Sequence, residues 1–196
     1  MPITHDHDVS DNRAGIGHGR TRGRVAILTA DDVEDVEFFY PYYRFVEEGF
    51  DVDVLTPAST TVTGYKGLSL STGVSAVADA NPADYDLLFI PGGLAPGAVR
   101  QDSDSVSFVQ DFATTGRVIG AVCHGPQVLV TAGLVEGRRM TSWKDVAHEI
   151  RDAGGEYVDE PVVEDAQFIT ARKPGDMPRE MARIFERLTE ANGENA

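Results

Sequence analysis

Short apolar segments that alternate with amphipathic ones constrain the fold of this chain more than any other sequence feature. The clearest apolar segments are residues 25–29, 86–90 and 118–122. Apolar runs of this length are typical of strands that are buried on both faces, as in a parallel sheet covered by helices. Helical spacing of the apolar residues Val36, Phe39, Tyr43 and Val46 marks residues 34–48, and a further helix is predicted at 178–191. We therefore expect an α/β fold with a mainly parallel sheet.

Length and composition predict one folded domain with a polar tail. The chain has 196 residues, and residues 1–22 are polar without apolar periodicity, so we expect a disordered tail followed by a single domain over 23–192. A metal site is not expected, because His5 and His7 in a flexible segment define no geometry. No apolar run is long enough to span a membrane, and no signal-peptide core is present. A cytoplasmic location is therefore the expectation.

The charge balance excludes some partners. The formal net charge is −15, which repels nucleic acids and anionic membranes. Lysine is scarce, since only Lys66, Lys144 and Lys173 occur among the 17 basic residues. An acidic surface with few lysines is typical of a protein from a salt-rich cytoplasm, where salt screens self-repulsion. A GC-rich genome that favours arginine codons is the alternative explanation.

The sole cysteine follows a predicted strand in a pattern typical of a nucleophile elbow. Small residues, Ala121 and Gly125, lie two positions on either side of Cys123, and they allow the sharp strand-to-helix turn that exposes a nucleophile. Pro126 suits the first turn of the following helix. We interpret Cys123 as a thiolate nucleophile. The alternative is an inert core thiol, which is common for lone intracellular cysteines.

Three predicted loops should meet at the carboxyl edge of the sheet, where ligands bind in open parallel sheets. The loop after residues 25–29 brings Glu34, which is expected to hydrogen-bond the sulfur. Backbone N–H groups of Gly93 and His124, with Gly92, are expected to form an oxyanion hole. The N-terminal end of the next helix, these donors and the imidazole should lower the thiol pKa. A carboxyl group that touches the sulfur should be protonated and act as a donor, because its ionised form would raise the thiol pKa.

The sequence resembles the PfpI family of intracellular cysteine peptidases, which belongs to the class I glutamine amidotransferase-like superfamily. The resemblance extends from about Arg24 to Leu188. It rests on residues 28–30, 34–37, 40–42, 47–49, 91–96, 122–127, 141–142 and 158–159.

The resemblance implies a flavodoxin-like three-layer sandwich with Cys123 as nucleophile, His124 as its partner and Glu34 bonded to the thiol. Family members form dimers or rings of dimers. Reported activities are peptide hydrolysis, repair of methylglyoxal-modified amino groups and conversion of methylglyoxal to lactate, all without a cofactor.

Two departures from the family pattern bear on activity. Gly97 stands where family peptidases are described with a third triad carboxylate borrowed from a neighbouring subunit. Trp143, which we group with Gly92 and Gly93 as substrate-binding, replaces a tyrosine and cannot relay a proton. Three hypotheses follow: a cofactor-free enzyme acting on methylglyoxal or glycated amino groups, a cysteine peptidase, or a redox-sensing holdase chaperone that oxidises at Cys123.

Overall fold

The computed structural model describes residues 21–58, 61–71 and 73–193. The strands are β1 (Arg24–Leu28), β2 (Asp51–Thr56), β3 (Val62–Thr63), β4 (Ser69–Leu70), β5 (Val74–Ala76), β6 (Leu87–Ile90), β7 (Val118–Val122), β8 (Arg139–Met140), β9 (Glu156–Tyr157), β10 (Val162–Asp165) and β11 (Phe168–Ala171). The helices are α1 (Asp35–Glu47), α2 (Ala95–Val99), α3 (Ser103–Thr114), α4 (Pro126–Thr131), α5 (Ala147–Asp152) and α6 (Met177–Gly193).

A seven-stranded sheet in the order β10-β11-β7-β6-β1-β2-β5 forms the centre of the molecule. Every neighbouring pair is parallel except β10 with β11. Strands β6 and β7 are buried along their whole length, as expected of parallel strands that are covered on both faces. The predicted α/β, flavodoxin-like fold with a mainly parallel sheet is confirmed.

Helices α1 and α6 pack against each other beside the sheet. The rings of Phe45 on α1 and Phe185 on α6 lie 5.7 Å apart between centroids, and α6 also contacts β7 and β11. The apolar face predicted for α1 is wrong in part, because Val36 and Tyr43 are 47% and 40% exposed whereas Phe39 is buried. The buried face instead carries Phe38 and Phe45.

The β3–β4 hairpin reaches the same edge of the sheet as the start of α1. Its two strands pair antiparallel. Gly64 pairs with Val33 in an isolated bridge, and the amides of Lys66 and Leu68 donate to the Asp35 carboxylate at 2.9 and 3.1 Å. The hairpin is therefore tied to the first turn of α1.

Residues 1–20 of the predicted tail lie outside the described residues. Arg22 is described, and its N–H donates to the carbonyl of Gly49 at 2.9 Å. Within the described ranges, none of the helices combines the length and apolar character that a bilayer crossing needs. In the same ranges, no three His, Cys, Asp or Glu side chains are grouped to hold a metal ion.

Candidate functional site

The three loops predicted to converge do so. Val33 and Gly93 form an isolated antiparallel bridge, and the N–H of Leu94 donates to the carbonyl of Asp32 at 2.9 Å. A Cβ atom on Gly92 would lie 2.8 Å from the Cβ of Cys123. The loops after β1, β6 and β7 therefore enclose one site at the carboxyl edge of the sheet.

The backbone of Cys123 has the conformation that the elbow pattern predicts. Its φ is 59°, in the left-handed region that costs a non-glycine residue free energy. Hydrogen bonds on both sides hold this geometry: its N–H donates to the carbonyl of Ala171 at 2.9 Å, and its carbonyl accepts from Trp143 at 2.8 Å. A side chain on Gly125 would collide with the carbonyl oxygen of Ile90. Glycine is therefore required two residues after the cysteine.

The carboxyl group that contacts the thiol belongs to Glu37, so the prediction that Glu34 makes this contact is wrong. Glu37 is fully buried and hydrogen-bonds Cys123. Its Oε2 accepts the N–H of Gly92 at 3.0 Å. The reason is the geometry of α1: Glu37 lies one turn into the helix, on the side that faces the elbow.

Glu34 is the N-cap residue of α1. Its Oε2 accepts the N–H of Glu37 at 2.9 Å, which satisfies a donor that the helix leaves unpaired. Its Oε1 forms an ion pair with Lys66 and lies 3.5 Å from the hydroxyl of Tyr65. Glu34 thus positions Glu37 and joins α1 to the hairpin.

The backbone N–H groups of the two glycines have different partners, and the oxyanion hole expected at Gly93 and His124 stays a prediction. The N–H of Gly92 is used by Glu37, so it does not face an oxyanion. The N–H groups of Gly93 and His124 point at the sulfur of Cys123 and favour its ionised form. Gly93 has a φ of 76°, and a side chain there would collide with the backbone of Glu34 and Asp32.

Burial decides the protonation of the thiol and its acid. The Cys123 pKa is raised, first by burial and then by the negative charge of Glu37, so the predicted lowering of the thiol pKa is wrong. Burial also raises the pKa of Glu37 to about 7, against the hydrogen bond from Cys123. A pKa of about 7 divides Glu37 between its protonated and ionised forms at neutral pH, and the hydrogen bond from the thiol favours the ionised form, so the expectation of a protonated donor beside the sulfur is met only in part.

His124 lies on the other side of the sulfur. Its Nδ1 is 3.3 Å from Sγ of Cys123. Burial lowers the His124 pKa, while the charges of Asp145 and Glu149 oppose this effect, so the imidazole is neutral at neutral pH. Glu149 is itself engaged by Arg100 Nη1 at 2.6 Å and Gln127 Nε2 at 2.5 Å.

Trp143 adjoins the elbow through its backbone N–H, and its indole Nε1 donates to Asp145 at 3.2 Å. Glu37 was not predicted as a site residue because the buried face of α1 was in part predicted incorrectly. An acidic residue aligned with Pro41 and Phe45 at intervals of four was the available signal, since these positions share one side of a helix.

Comparison with known proteins gives matches over most of the chain. The profile of the DJ-1/PfpI family matches residues 23–187. The chain belongs to the DJ-1/PfpI family. A deglycase of Pyrococcus abyssi is 39% identical over 154 residues, which are 79% of this chain and 92% of that protein. Protein/nucleic acid deglycase 2 of Escherichia coli is 37% identical over 167 residues, which are 83% of this chain and 97% of that protein.

Solved structures of DJ-1/PfpI proteins have the same fold. A two-domain protein from Anabaena variabilis, with a DJ-1/ThiJ/PfpI-like and a ferritin-like domain, superposes with a TM-score of 0.82 at 36% identity. The match covers 85% of this chain and 48% of that one. DJ-1 of Schizosaccharomyces pombe matches with a TM-score of 0.75 at 23% identity, over 83% of this chain and 90% of that one. Together with the names of the relatives, the family supports an enzyme of deglycase or protease type.

Proposed function

We propose that this protein is a cofactor-free cysteine enzyme that acts on methylglyoxal or on amino groups modified by it. One observation carries the proposal: the sulfur of Cys123 lies between a buried carboxyl group, Glu37, and a neutral imidazole, His124 Nδ1, at 3.3 Å. An acid, a base and a nucleophile within reach of one another are what addition to a carbonyl requires.

The proposed first step uses Glu37 and Cys123. The thiol proton passes to the Glu37 carboxylate as sulfur bonds to the aldehyde carbon, and the electron pair of the C=O bond moves to oxygen. The protonated Glu37 then returns its proton to that oxygen, which gives a hemithioacetal. The N–H groups of Gly93 and His124 favour negative charge on the sulfur before it attacks.

His124 would carry the next proton. Moving a proton from the carbon that bears sulfur to the adjacent carbonyl carbon, while the hydroxyl proton passes to the ketone oxygen, converts the hemithioacetal to a thioester. Water then hydrolyses the thioester, which releases lactate and restores the thiol. With an amino group already modified by methylglyoxal, sulfur would bond to the carbon that carries nitrogen as the C–N bond breaks, the amine would leave with the proton of Glu37, and the same hemithioacetal would result. The neutral imidazole, whose pKa burial lowers, is suited to accept a proton at neutral pH.

A peptidase reaction is the second candidate function. Its support is the carboxylates near His124, because Asp145 and Glu149 act electrostatically on the imidazole within the same chain. Gly97 leaves the position of the usual third carboxylate without a side chain. Asp145 would have to orient His124, although it is exposed and paired with Lys144 at 2.9 Å. The reaction with a small carbonyl compound does not need a third carboxylate to orient His124. We therefore place this reaction before peptide cleavage.

The test compares wild type with Cys123→Ala and Glu37→Gln, with Glu34→Gln as the matched control. Methylglyoxal consumption and lactate formation are measured together with casein and short-peptide cleavage. We expect turnover of methylglyoxal to vanish in Cys123→Ala and to fall roughly 100-fold or more in Glu37→Gln, but to persist in Glu34→Gln. Methylglyoxal turnover that survives in Cys123→Ala would overturn the proposal.

The same variants separate the other hypotheses. Cysteine-dependent cleavage of casein without methylglyoxal turnover would assign the site to a peptidase. Protection of a heat-denatured client by wild type and Cys123→Ala alike would favour a holdase chaperone. For the cell, we propose a cytoplasmic location, where a lone thiol such as Cys123 stays reduced.

A further inference from the structure

A second carboxyl group lies buried behind the thiol and its acid. Glu180, in the first turns of α6, is fully buried. Neither of its carboxyl oxygens has a hydrogen-bond partner among the described residues. A buried polar group without a partner costs roughly 1–3 kcal/mol, so a glutamate is an unfavourable choice for this position unless it has a role.

The position of Glu180 relative to Glu37 suggests that role. Helices α1 and α6 pack side by side through Phe45 and Phe185, and both glutamates lie near the starts of their helices. Oε1 of Glu37 is also buried and unpartnered among the described residues, whereas Oε2 accepts the N–H of Gly92. A protonated Glu180 could therefore donate a hydrogen bond, and the unpartnered Oε1 of Glu37 could accept it.

The surrounding charges favour a protonated Glu180. Its pKa is raised well above the usual value, first by burial, then by the charges of Glu37 and Asp176. Asp176 is paired with Arg172 at 2.9 Å. Strands β7 and β11, which α6 packs against, carry no titratable side chain. Two carboxyl groups in one buried site cannot both ionise readily, so Glu180 keeps its proton while Glu37 titrates.

We propose that Glu180 is a positioning residue for the site, a protonated carboxyl group that donates to the second oxygen of Glu37. The Glu37 carboxyl group then accepts one hydrogen bond from the thiol of Cys123 and one from Glu180. This bond stabilises ionised Glu37, the form that accepts the proton of Cys123. The inference rests on the proposed function, because it assigns Glu37 the thiol proton.

Two substitutions separate this role from simple filling of space. Glu180→Gln keeps a donor toward Glu37, and Glu180→Met removes it at similar size. The measured quantity is the rate of Cys123 alkylation by iodoacetamide against pH. The midpoint of this pH profile reports the pH at which the Cys123–Glu37 pair loses its first proton. We expect the midpoint to rise by roughly one pH unit in Glu180→Met, because ionised Glu37 loses a donor, and to stay unchanged in Glu180→Gln.

Glu180→Met should make the protein more stable to heat although it makes the thiol harder to alkylate. Glu180→Met replaces a buried carboxyl group with an apolar side chain, and one hydrogen bond to Glu37 offsets the desolvation of that carboxyl group only in part, so the thermal unfolding midpoint of the variant should rise. Glu186→Gln, on the exposed side of the same helix, is the control and should change neither quantity. An unchanged alkylation midpoint in a folded Glu180→Met protein would overturn the proposal.

Infrared spectroscopy tests the proton directly and needs only the conservative variant. At a pH well above the ionisation of Glu37, wild type should retain the C=O stretching band of a protonated carboxylic acid, and Glu180→Gln should lack it. Absence of that band in wild type would overturn the inference even if Glu180→Met fails to fold. Neither readout uses substrate. Loss of turnover in Cys123→Ala with these tests negative would therefore leave the proposed function standing.

Discussion

At the scale of single residues, the charge on Glu37 adds to the effect of burial on the thiol. Burial raises the pKa of Cys123 most and the negative charge of Glu37 raises it further, so Glu37→Gln should lower that pKa while removing the group that accepts the thiol proton. We expect alkylation of Cys123 near neutral pH to become faster, although methylglyoxal turnover falls. Iodoacetamide kinetics against pH give the first quantity, and slower alkylation in Glu37→Gln would contradict the assignment of Glu37.

The elbow depends on a single hydrogen atom at Gly125. A methyl group there would collide with the backbone of β6, and backbone cannot move aside as a side chain can. Gly125→Ala should therefore lower the free energy of unfolding by at least about 1–3 kcal/mol. Gly97→Ala is the matched control, because open space surrounds Gly97 inside α2. In that helix alanine should be neutral or stabilising. Urea denaturation measures both variants.

Sequence reasoning located the site but misassigned its acid. Small residues around Cys123 predicted the elbow, since backbone sterics depend on local sequence alone. The choice between Glu34 and Glu37 depended on how α1 rotates against the sheet, which is decided by packing with α6. Glu180 was not found for the same reason, because only the packing of α6 in the assembled fold buries it.

At the scale of elements, ion pairs fasten the edge strand β10 to the last helix, α6. Glu164 on β10 accepts from Arg183 Nε at 2.5 Å and also pairs with Arg187. These arginines, Arg183 first, lower the Glu164 pKa. A lowered folded-state pKa contributes stability above the unfolded pKa, and the contribution disappears as pH falls through the folded value.

Glu164→Gln should therefore reduce the free energy of unfolding by about 1 kcal/mol at neutral pH. The difference from wild type should vanish in acid, where Glu164 is protonated in both states. Denaturation at several pH values measures this, with Glu160→Gln, an exposed residue shortly before β10, as control. A difference that persists in strong acid would show that the ion pairs are not its cause.

The order of elements was largely predictable, because buried parallel strands and amphipathic helices have distinct sequence periods. The strand β7 begins and ends where the sequence indicated. Short elements such as β5 and α2 were not predicted, since their three and five residues are too few to define a period. The order of the strands in the sheet is likewise a property of the assembled fold.

At the scale of the whole molecule, a net charge of −15 opposes compaction. Salt screens repulsion between exposed charges over about 10 Å at 0.1 M and less at higher concentration. The thermal unfolding midpoint should therefore rise as potassium chloride increases toward molar concentration. Glu164→Gln, which lacks the ion pairs, should gain at least as much as wild type. A midpoint that falls with salt would count against the predicted adaptation to a salt-rich cytoplasm.

We also propose a homo-oligomer, a dimer or a ring of dimers, as the resemblance implies. The exposed apolar side chains Val36 and Tyr43 lie on the outer side of α1. Light scattering on the purified protein at high salt gives the mass directly, and a mass of about one 21.2 kDa chain would rule the assembly out.

The acid of the site and the cap of α1 occupy one helical turn. When that turn unwinds, Glu37 moves away from the sulfur, so the chemical reactivity of Cys123 depends on how often the start of α1 opens. The rate of Cys123 alkylation therefore measures the local opening of α1, and weakening the cap at Glu34 should increase that rate.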